Sequence, residues 1–293
     1  MENTQNQITE MILQTINTLF STLFSSIDNQ IYSILDKLTF ISPDVLHDAY
    51  FSQILGNQTM QNLILIANSL LLAIFLYYAI RLLFSHFSYI EIERPYQFIF
   101  KLLFFALCIN GSYFICEQIL SINHLLSSAI TDVGKILFQK EISFNQFILT
   151  LNSIISIEKD TFNIFSIDGL IKGFISIGLF NLVFSFSLRY IMVKVFTFLS
   201  PFAFLTLINH STSWLFKTWI RSFLSLLLLQ SFISIILLVI FSVSYQTQDL
   251  FSKFILIGGI YALSKSNQYM RDLLGGISTD ISQNFTNLRT FFK

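Results

Sequence analysis

Hydrophobic residues dominate four long stretches of the chain that contain no charged side chain. These stretches cover residues 61–80, 102–116, 173–188 and 222–248. Because a bilayer-spanning α-helix needs about 20 mainly apolar residues, they predict transmembrane helices. Two further stretches are weaker: 195–216 contains Pro201 and His210, and 254–264 is short and contains Gly258-Gly259. The pattern predicts an all-α, polytopic membrane protein.

The basic residues predict how these helices are oriented. Three segments, 81–101, 189–221 and 265–293, hold 11 of the 17 Lys and Arg residues. By the positive-inside rule, basic segments beside spans face the cytoplasm. Segment 190–213 then cannot cross the membrane. It is expected to extend the third span, to dip in and return, or to lie at the interface, as a helical segment that Pro201 breaks. Five spans follow, near residues 61–84, 98–116, 169–189, 222–244 and 250–264. Six spans are the alternative.

The remaining segments complete a three-part division of the chain. Residues 1–60 form an extracytoplasmic arm and residues 61–265 the membrane domain. Within that domain, the acid-bearing loop 117–168 is extracytoplasmic and is expected to hold amphipathic helices. Residues 266–293 form a cytoplasmic tail. The N-terminus is therefore expected outside and the C-terminus inside, with no secretory leader preceding the arm.

The arm carries one continuous apolar stripe, which predicts a long amphipathic helix. The stripe consists of Ile8, Ile12, Ile16, Leu19, Leu23, Ile27, Ile31, Ile34 and Leu38. Its mean spacing exceeds the 3.5-residue period of a left-handed coiled coil. The opposite face is polar without Lys or Arg, so packing on copies of itself or on another protein is favoured over lying on a bilayer.

Composition supports a membrane environment and excludes several other classes. The 293 residues are 54% hydrophobic and 12% charged, whereas a soluble domain is about 25% charged. The 17 basic and 17 acidic residues cancel, so bulk charge does not recruit nucleic acid. Cys108 and Cys116 lie about 12 Å apart along a helix, too far for a disulfide, and are expected to be free thiols.

No sequence pattern predicts catalysis or a cofactor. The phosphate-loop, zinc-protease and nucleophile-elbow motifs are absent, and the four histidines are scattered without metal-ligand spacing. The spans contain no internal carboxylate, which disfavours an ion-coupled carrier. We therefore expect a non-enzymatic protein with no cofactor and no metal.

One region resembles a known family. The long apolar run of residues 222–248, which contains Gln230, follows three features in a fixed order. They are the sequence around Arg189, the segment Ser200-Pro201-Phe202-Ala203, and the group Trp214, Lys217, Trp219 and Arg221. With the tail segment 271–277, this order is similar to the core of the TrbL family. Members include the sixth component of VirB-type systems. The match covers about residues 180–280, and the remainder agrees only in layout.

The resemblance implies a function and a set of partners. Such proteins form the membrane-embedded base of type IV secretion and conjugation machines in the bacterial inner membrane. They are homo-oligomers that work with a traffic ATPase and a coupling protein, and they contact the transferred single-stranded DNA. Two other hypotheses stay open: an exporter permease that a separate ATPase drives, and a scaffold without a pore.

The residues that stand out each have an ordinary and a functional interpretation. Arg189, Lys194, Lys217 and Arg221 are expected either to anchor the chain on anionic lipid or to contact a partner or DNA. Trp214 and Trp219 are expected to be interfacial anchors. Pro201 is expected to break a helix, and Gly258-Gly259 to allow close helix packing.

Overall fold

The structure, a computed structural model, describes residues 11–20, 22, 34–47, 63–88, 94–154, 166–243 and 250–275. These residues form helices joined by turns, and none lies in a β-strand. The helices are α1 (Met11–Phe20), α2 (34–39), α3 (Leu63–Ser88), α4 (Pro95–Asn110), α5 (Ser112–Phe138), α6 (Phe144–Ile154), α7 (Ile167–Leu205), α8 (Ser213–Ser242) and α9 (Leu250–Leu274). The all-α prediction is confirmed for these ranges.

Three helices are long and apolar enough to cross a membrane. They are α3, α7 and α8, and the bent pair α4–α5 makes a fourth if it acts as one span. Several apolar helices are thus compatible with a multi-pass membrane protein. The predicted fifth span at 250–264 belongs to α9, which the same test of length and composition does not select.

The predicted span 98–116 and the predicted loop 117–168 do not match the helices. The chain bends by 59° at Gly111, between α4 and α5. Helix α5 then continues without interruption to Phe138, 22 residues beyond the predicted end of the span. It packs along α8. The helix therefore continues through the predicted boundary at residue 116, with its polar face packed on another helix.

Helix α7 replaces the predicted span 169–189 and the predicted broken segment 190–213. It is a single helix of 39 residues that contains Pro201 and ends at Leu205. At a rise of 1.5 Å per residue it is about 58 Å long, twice the roughly 30 Å of a bilayer's hydrocarbon core. Residue 189 therefore lies near the middle of a helix, and not at its inner end.

Helix α9 packs against both α7 and α8 and runs nine residues into the predicted tail. A Cβ on Gly259 would lie 2.7 Å from Ile240 of α8, so this glycine allows close approach as predicted. A Cβ on Gly258 would meet nothing within 4 Å, so the prediction is wrong there. Gly178 of α7 provides a second close contact, with Ile260 of α9.

The predicted arm helix is described only in two parts, α1 and α2. Residues 23–33 between them, and residues 1–10, lie outside the described residues. The apolar side chains of α1 are largely exposed: Met11 is 64% exposed and Leu19 59%. In contrast, Leu35 and Ile41 are buried against the helical bundle. Residues 34–47 of the arm are therefore packed into the core of the bundle.

Candidate functional site

A fully buried arginine lies at the centre of the bundle. Arg189, in the middle of α7, has no solvent-accessible surface. Its Nε donates a hydrogen bond to the carbonyl of Leu226 on α8, at 2.7 Å. Its Nη1 donates to the carbonyl of Thr39, the last residue of α2, at 2.9 Å. One side chain thus joins α7, α8 and the N-terminal part of the chain.

A buried glutamine makes the matching contact one turn further along α8. The side-chain oxygen of Gln230 accepts the backbone N–H of Ile41 at 3.2 Å. Its amide nitrogen donates to Ser127 Oγ of α5 at 2.9 Å. The next residue, Ser231, donates to Asn123 Oδ1 of α5 at 3.2 Å. We call Arg189 and Gln230, with the backbone groups of Thr39 and Ile41, the clamp.

The local sequence explains why the backbone at residues 39–41 needs side-chain partners. A helical carbonyl is normally satisfied by the N–H four residues later, but residue 43 is a proline and has none. Nη1 of Arg189 donates to the Thr39 carbonyl in place of that missing N–H. The last helical hydrogen bond of α2 runs from Phe40 N–H to the Asp36 carbonyl. The N–H of Ile41, the next residue, therefore has no helical acceptor. Non-helical backbone inside a membrane protein is tolerated only where such partners are supplied.

The guanidinium of Arg189 is buried without a neutralising carboxylate among the described residues, and two features partly compensate the cost. Arg189 forms no salt bridge with any described residue, and its Nη2 has no hydrogen-bond partner among them. The carbonyl end of α2 carries a partial negative charge, which a guanidinium stabilises. Hydrogen bonds from a charged donor are also about twice as strong as neutral ones. These contacts offset part of the cost of burying the charge.

Two further contacts attach the same part of the chain. The carboxylate of Asp36 accepts the backbone N–H of Phe144 at 2.7 Å and of Asn145 at 3.2 Å, so it caps α6. His47 Nε2 lies 3.0 Å from Glu117 Oε1 of α5. We call residues 34–47 the docked segment. It is held by side chains from α5, α7 and α8 and by the N-terminal end of α6.

The expected surface role of Arg189 is therefore wrong for the chain as described, since its guanidinium is inaccessible to lipid, DNA or a partner. The other three predicted contact residues differ from it. Lys194 is half-buried, with its ammonium 5.1 Å from the ring centre of Tyr190. Lys217 and Arg221 are exposed. The predicted group of four thus separates into one core residue and three outer ones.

The two tryptophans also differ in their exposure. Trp214 is 60% exposed and, at helical spacing, shares one face of α8 with Lys217 and Arg221. Trp219 is buried, and its Nε1 donates to the carbonyl of Phe196 on α7 at 2.9 Å. Its ring stacks on Phe223. The anchor interpretation of Trp219 is wrong, because its polar N–H is satisfied inside the protein.

Pro201 does not break α7, although it lacks the N–H that the carbonyl of Thr197 would normally accept. The hydroxyl of Ser200 donates to that carbonyl instead, at 2.7 Å. The helix continues for four residues and ends in a short 3₁₀ turn, Thr206–Ile208. The hydroxyl of Ser200 therefore lets α7 continue through Pro201, where the sequence pattern predicts a helix break.

Several residues of the site carried no signal in the sequence for the contacts that they make. Gln230 is a single polar residue in a long apolar run, and Asn123 and Ser127 lie in a segment that resembles a loop. The clearest signal in hindsight is Pro43, which deprives a helix end of its partner. Among the described residues, no group of three or more His, Cys, Asp or Glu could hold a metal ion.

Comparison of the chain with protein-family models, with curated proteins and with solved structures finds no match.

Proposed function

We propose that this chain is a non-enzymatic, membrane-embedded base subunit of a type IV secretion or conjugation apparatus. In this proposal it lies in the inner membrane of a bacterium as a homo-oligomer. It works with a traffic ATPase and a coupling protein during transfer of single-stranded DNA. The proposal rests on the resemblance to the TrbL family, and the packing of the residues that carry that resemblance supports it.

The observation that carries the proposal is that the dispersed residues of the resemblance form one packed hairpin of α7 and α8. Arg189 bonds to Leu226 across the hairpin, and Trp219 bonds to Phe196 about two helical turns further along. Arg189 and Trp219 therefore both join α7 to α8, and Gln230 joins α8 to α5 and to the docked segment.

The exposed basic face of α8 is the part of this unit that is available to partners. It consists of Lys217 and Arg221, with Trp214 beside them. Arg221 also reaches the end of α9, where a Cβ on Gly275 would lie 3.1 Å from its Cδ. A guanidinium at a helix C-terminus complements the partial negative charge of the carbonyls there. In the proposal, this face points into the cytoplasm and meets the coupling partners or the phosphates of the strand.

Plasmid transfer from a donor strain tests the proposal. Deletion of the gene should reduce transfer to the level of a donor without the apparatus, and the wild-type chain supplied in trans should restore it. The double variant Lys217→Gln/Arg221→Gln should insert normally but restore transfer poorly, whereas Lys140→Gln, at an exposed lysine outside this face, should restore it fully. Normal transfer by the deletion strain would refute the proposal.

The main alternative is the permease of an exporter that a separate ATPase drives. It predicts a cytoplasmic N-terminus, whereas the proposal places the N-terminus outside and the C-terminus inside. Reporter fusions at both termini distinguish them, because alkaline phosphatase is active only outside the cytoplasm. A cytoplasmic N-terminus together with normal plasmid transfer would favour the exporter.

A further inference from the structure

A cavity of about 500 Å³ lies between the docked segment, α5 and the start of α6. This volume falls within the roughly 300–1,000 Å³ of typical small-molecule sites. One face of α5, from His124 to Lys135, forms its longest wall. Ser127, the hydroxyl that Gln230 bonds, lies on the same wall, so the cavity adjoins the clamp.

The charged side chains around this cavity are of both signs and are not paired with each other. Lys37 and Lys135 contribute two ammonium groups, and Asp132 and Glu141 contribute two carboxylates. All four are exposed, and none forms a salt bridge with another described residue. The fifth charged group, Asp36, is already occupied by the two N–H groups that it caps.

The side chain of His124 also lines the cavity. Nδ1 of His124 is buried and has no hydrogen-bond partner in the described part of the chain. Because this atom has almost no accessible surface, a ligand reaches it only if the ring turns. The apolar side chains of Phe40 and Ile142 complete the lining.

The charge pattern restricts the class of ligand. A simple anion would be attracted by Lys37 and Lys135 but repelled by the nearby carboxylates. A simple cation would be attracted by the carboxylates but repelled by the two lysines. A metal ion is disfavoured because the described residues contain no group of three ligating side chains. A molecule that carries both charges satisfies both pairs of side chains, because charge complementarity decides which partner a charged site accepts.

We propose that this cavity binds a small zwitterion with an ammonium group and an anionic group. The ammonium lies against Asp132 and Glu141, and the anion lies against Lys37 and Lys135. The same chemistry is offered by the phosphoethanolamine headgroup of a phospholipid and by a free zwitterion in water. Because Lys37 belongs to the docked segment and Lys135 to α5, the bound molecule also strengthens the attachment between them.

The test uses the full chain in nanodiscs of phosphatidylglycerol, which has no ammonium group. Thermal unfolding is followed while free phosphoethanolamine is added, with ethanolamine and inorganic phosphate as single-charge controls. In a second arm, phosphatidylethanolamine is included in the nanodiscs and nothing is added in solution. Hydrogen exchange of residues 34–47 provides a second readout. The variants are Lys135→Gln and Glu141→Gln, and the matched control is Lys140→Gln, an exposed neighbour that does not line the cavity.

We expect the zwitterion to raise the Tm and to slow exchange in the docked segment. Either variant should weaken apparent binding about tenfold, the effect of one lost charge contact, and Lys140→Gln should not. A response to the free compound indicates a soluble ligand, and a response only to the lipid indicates a headgroup; each supports the proposal. Equal responses to ethanolamine or phosphate alone, equal responses in all variants, or no response in either arm would overturn it.

Discussion

Replacing Arg189 with methionine should release the docked segment without unfolding the bundle. Two effects oppose each other in global stability. The substitution removes two charge-assisted hydrogen bonds, each contributing about 1.5–3 kcal/mol, but it also removes a buried charge whose desolvation costs several kcal/mol. Of the two bonds of Arg189, only the one to Thr39 reaches the docked segment. Its attachment should therefore weaken by about 1.5–3 kcal/mol, which is about a 10- to 150-fold rise in the detached population.

Thiol labelling at residue 39 measures this population. Thr39 is fully buried and its hydroxyl makes no hydrogen bond in the described residues, so Thr39→Cys introduces a concealed thiol at little cost. The native thiols are first removed by Cys108→Ser and Cys116→Ala. When opening is rapid compared with labelling, the rate of maleimide reaction follows the open population. We expect the labelling rate in Arg189→Met to rise about 10- to 150-fold.

The matched control is Lys194→Met, which removes a half-buried cation from the same helix. The ammonium of Lys194 lies over the ring of Tyr190, one turn earlier in α7. Labelling at residue 39 should stay within about twofold of the parent, as expected for a change outside the clamp. Unchanged labelling in Arg189→Met, or an equal increase in Lys194→Met, would refute the role assigned to Arg189.

Three further predictions concern packing and charge in the rest of the bundle. Gly259→Val should destabilise the protein by about 1–3 kcal/mol in thermal unfolding because it overpacks the facing isoleucine of α8, whereas Gly258→Ala should be neutral or stabilising; equal effects would contradict this packing. Trp219→Phe should cost about 1–3 kcal/mol, since it loses the hydrogen bond to α7 and part of the buried indole's packing; a cost near zero would contradict this packing. Burial, the largest cause, raises the pKa of Asp36 above its ordinary value of 3.8, so the folded chain holds that proton more tightly. Wild-type stability should fall as pH rises from 3.8 through the raised value, and Asp36→Asn should lack this part of the pH dependence in Tm measurements; identical profiles would refute it.

The fold class was predictable because only a bilayer or a large protein core accommodates long apolar stretches without charge. The boundaries were less predictable, and α5 shows why. Its second half carries Asn123, Ser127 and His124 on a face that packs on α8 or lines the cavity, and this polar face makes the segment look like a loop. Burial of polar side chains against other helices interrupts the apolar pattern without ending the helix.

The candidate site depends on partners that no local pattern identifies. Arg189 looks like a topology-setting charge because its two acceptors lie 37 and 150 residues away in the sequence. Pro201 looks like a helix break because the compensating role of Ser200 depends on its rotamer. Trp219 looks like an interfacial anchor because its acceptor lies on another helix. In each case a tertiary contact outweighs the local preference.

The most direct test of the clamp is the exchange rate of one backbone amide. The N–H of Ile41 lies outside regular helix and is bonded to the side chain of Gln230, so its protection depends on the clamp and not on a helical hydrogen bond. Hydrogen–deuterium exchange of the wild-type chain in nanodiscs should show this amide strongly protected, and Gln230→Leu should remove the protection while the amides of α8 remain protected. Rapid exchange of the Ile41 amide in the wild-type chain would contradict a docked N-terminal segment.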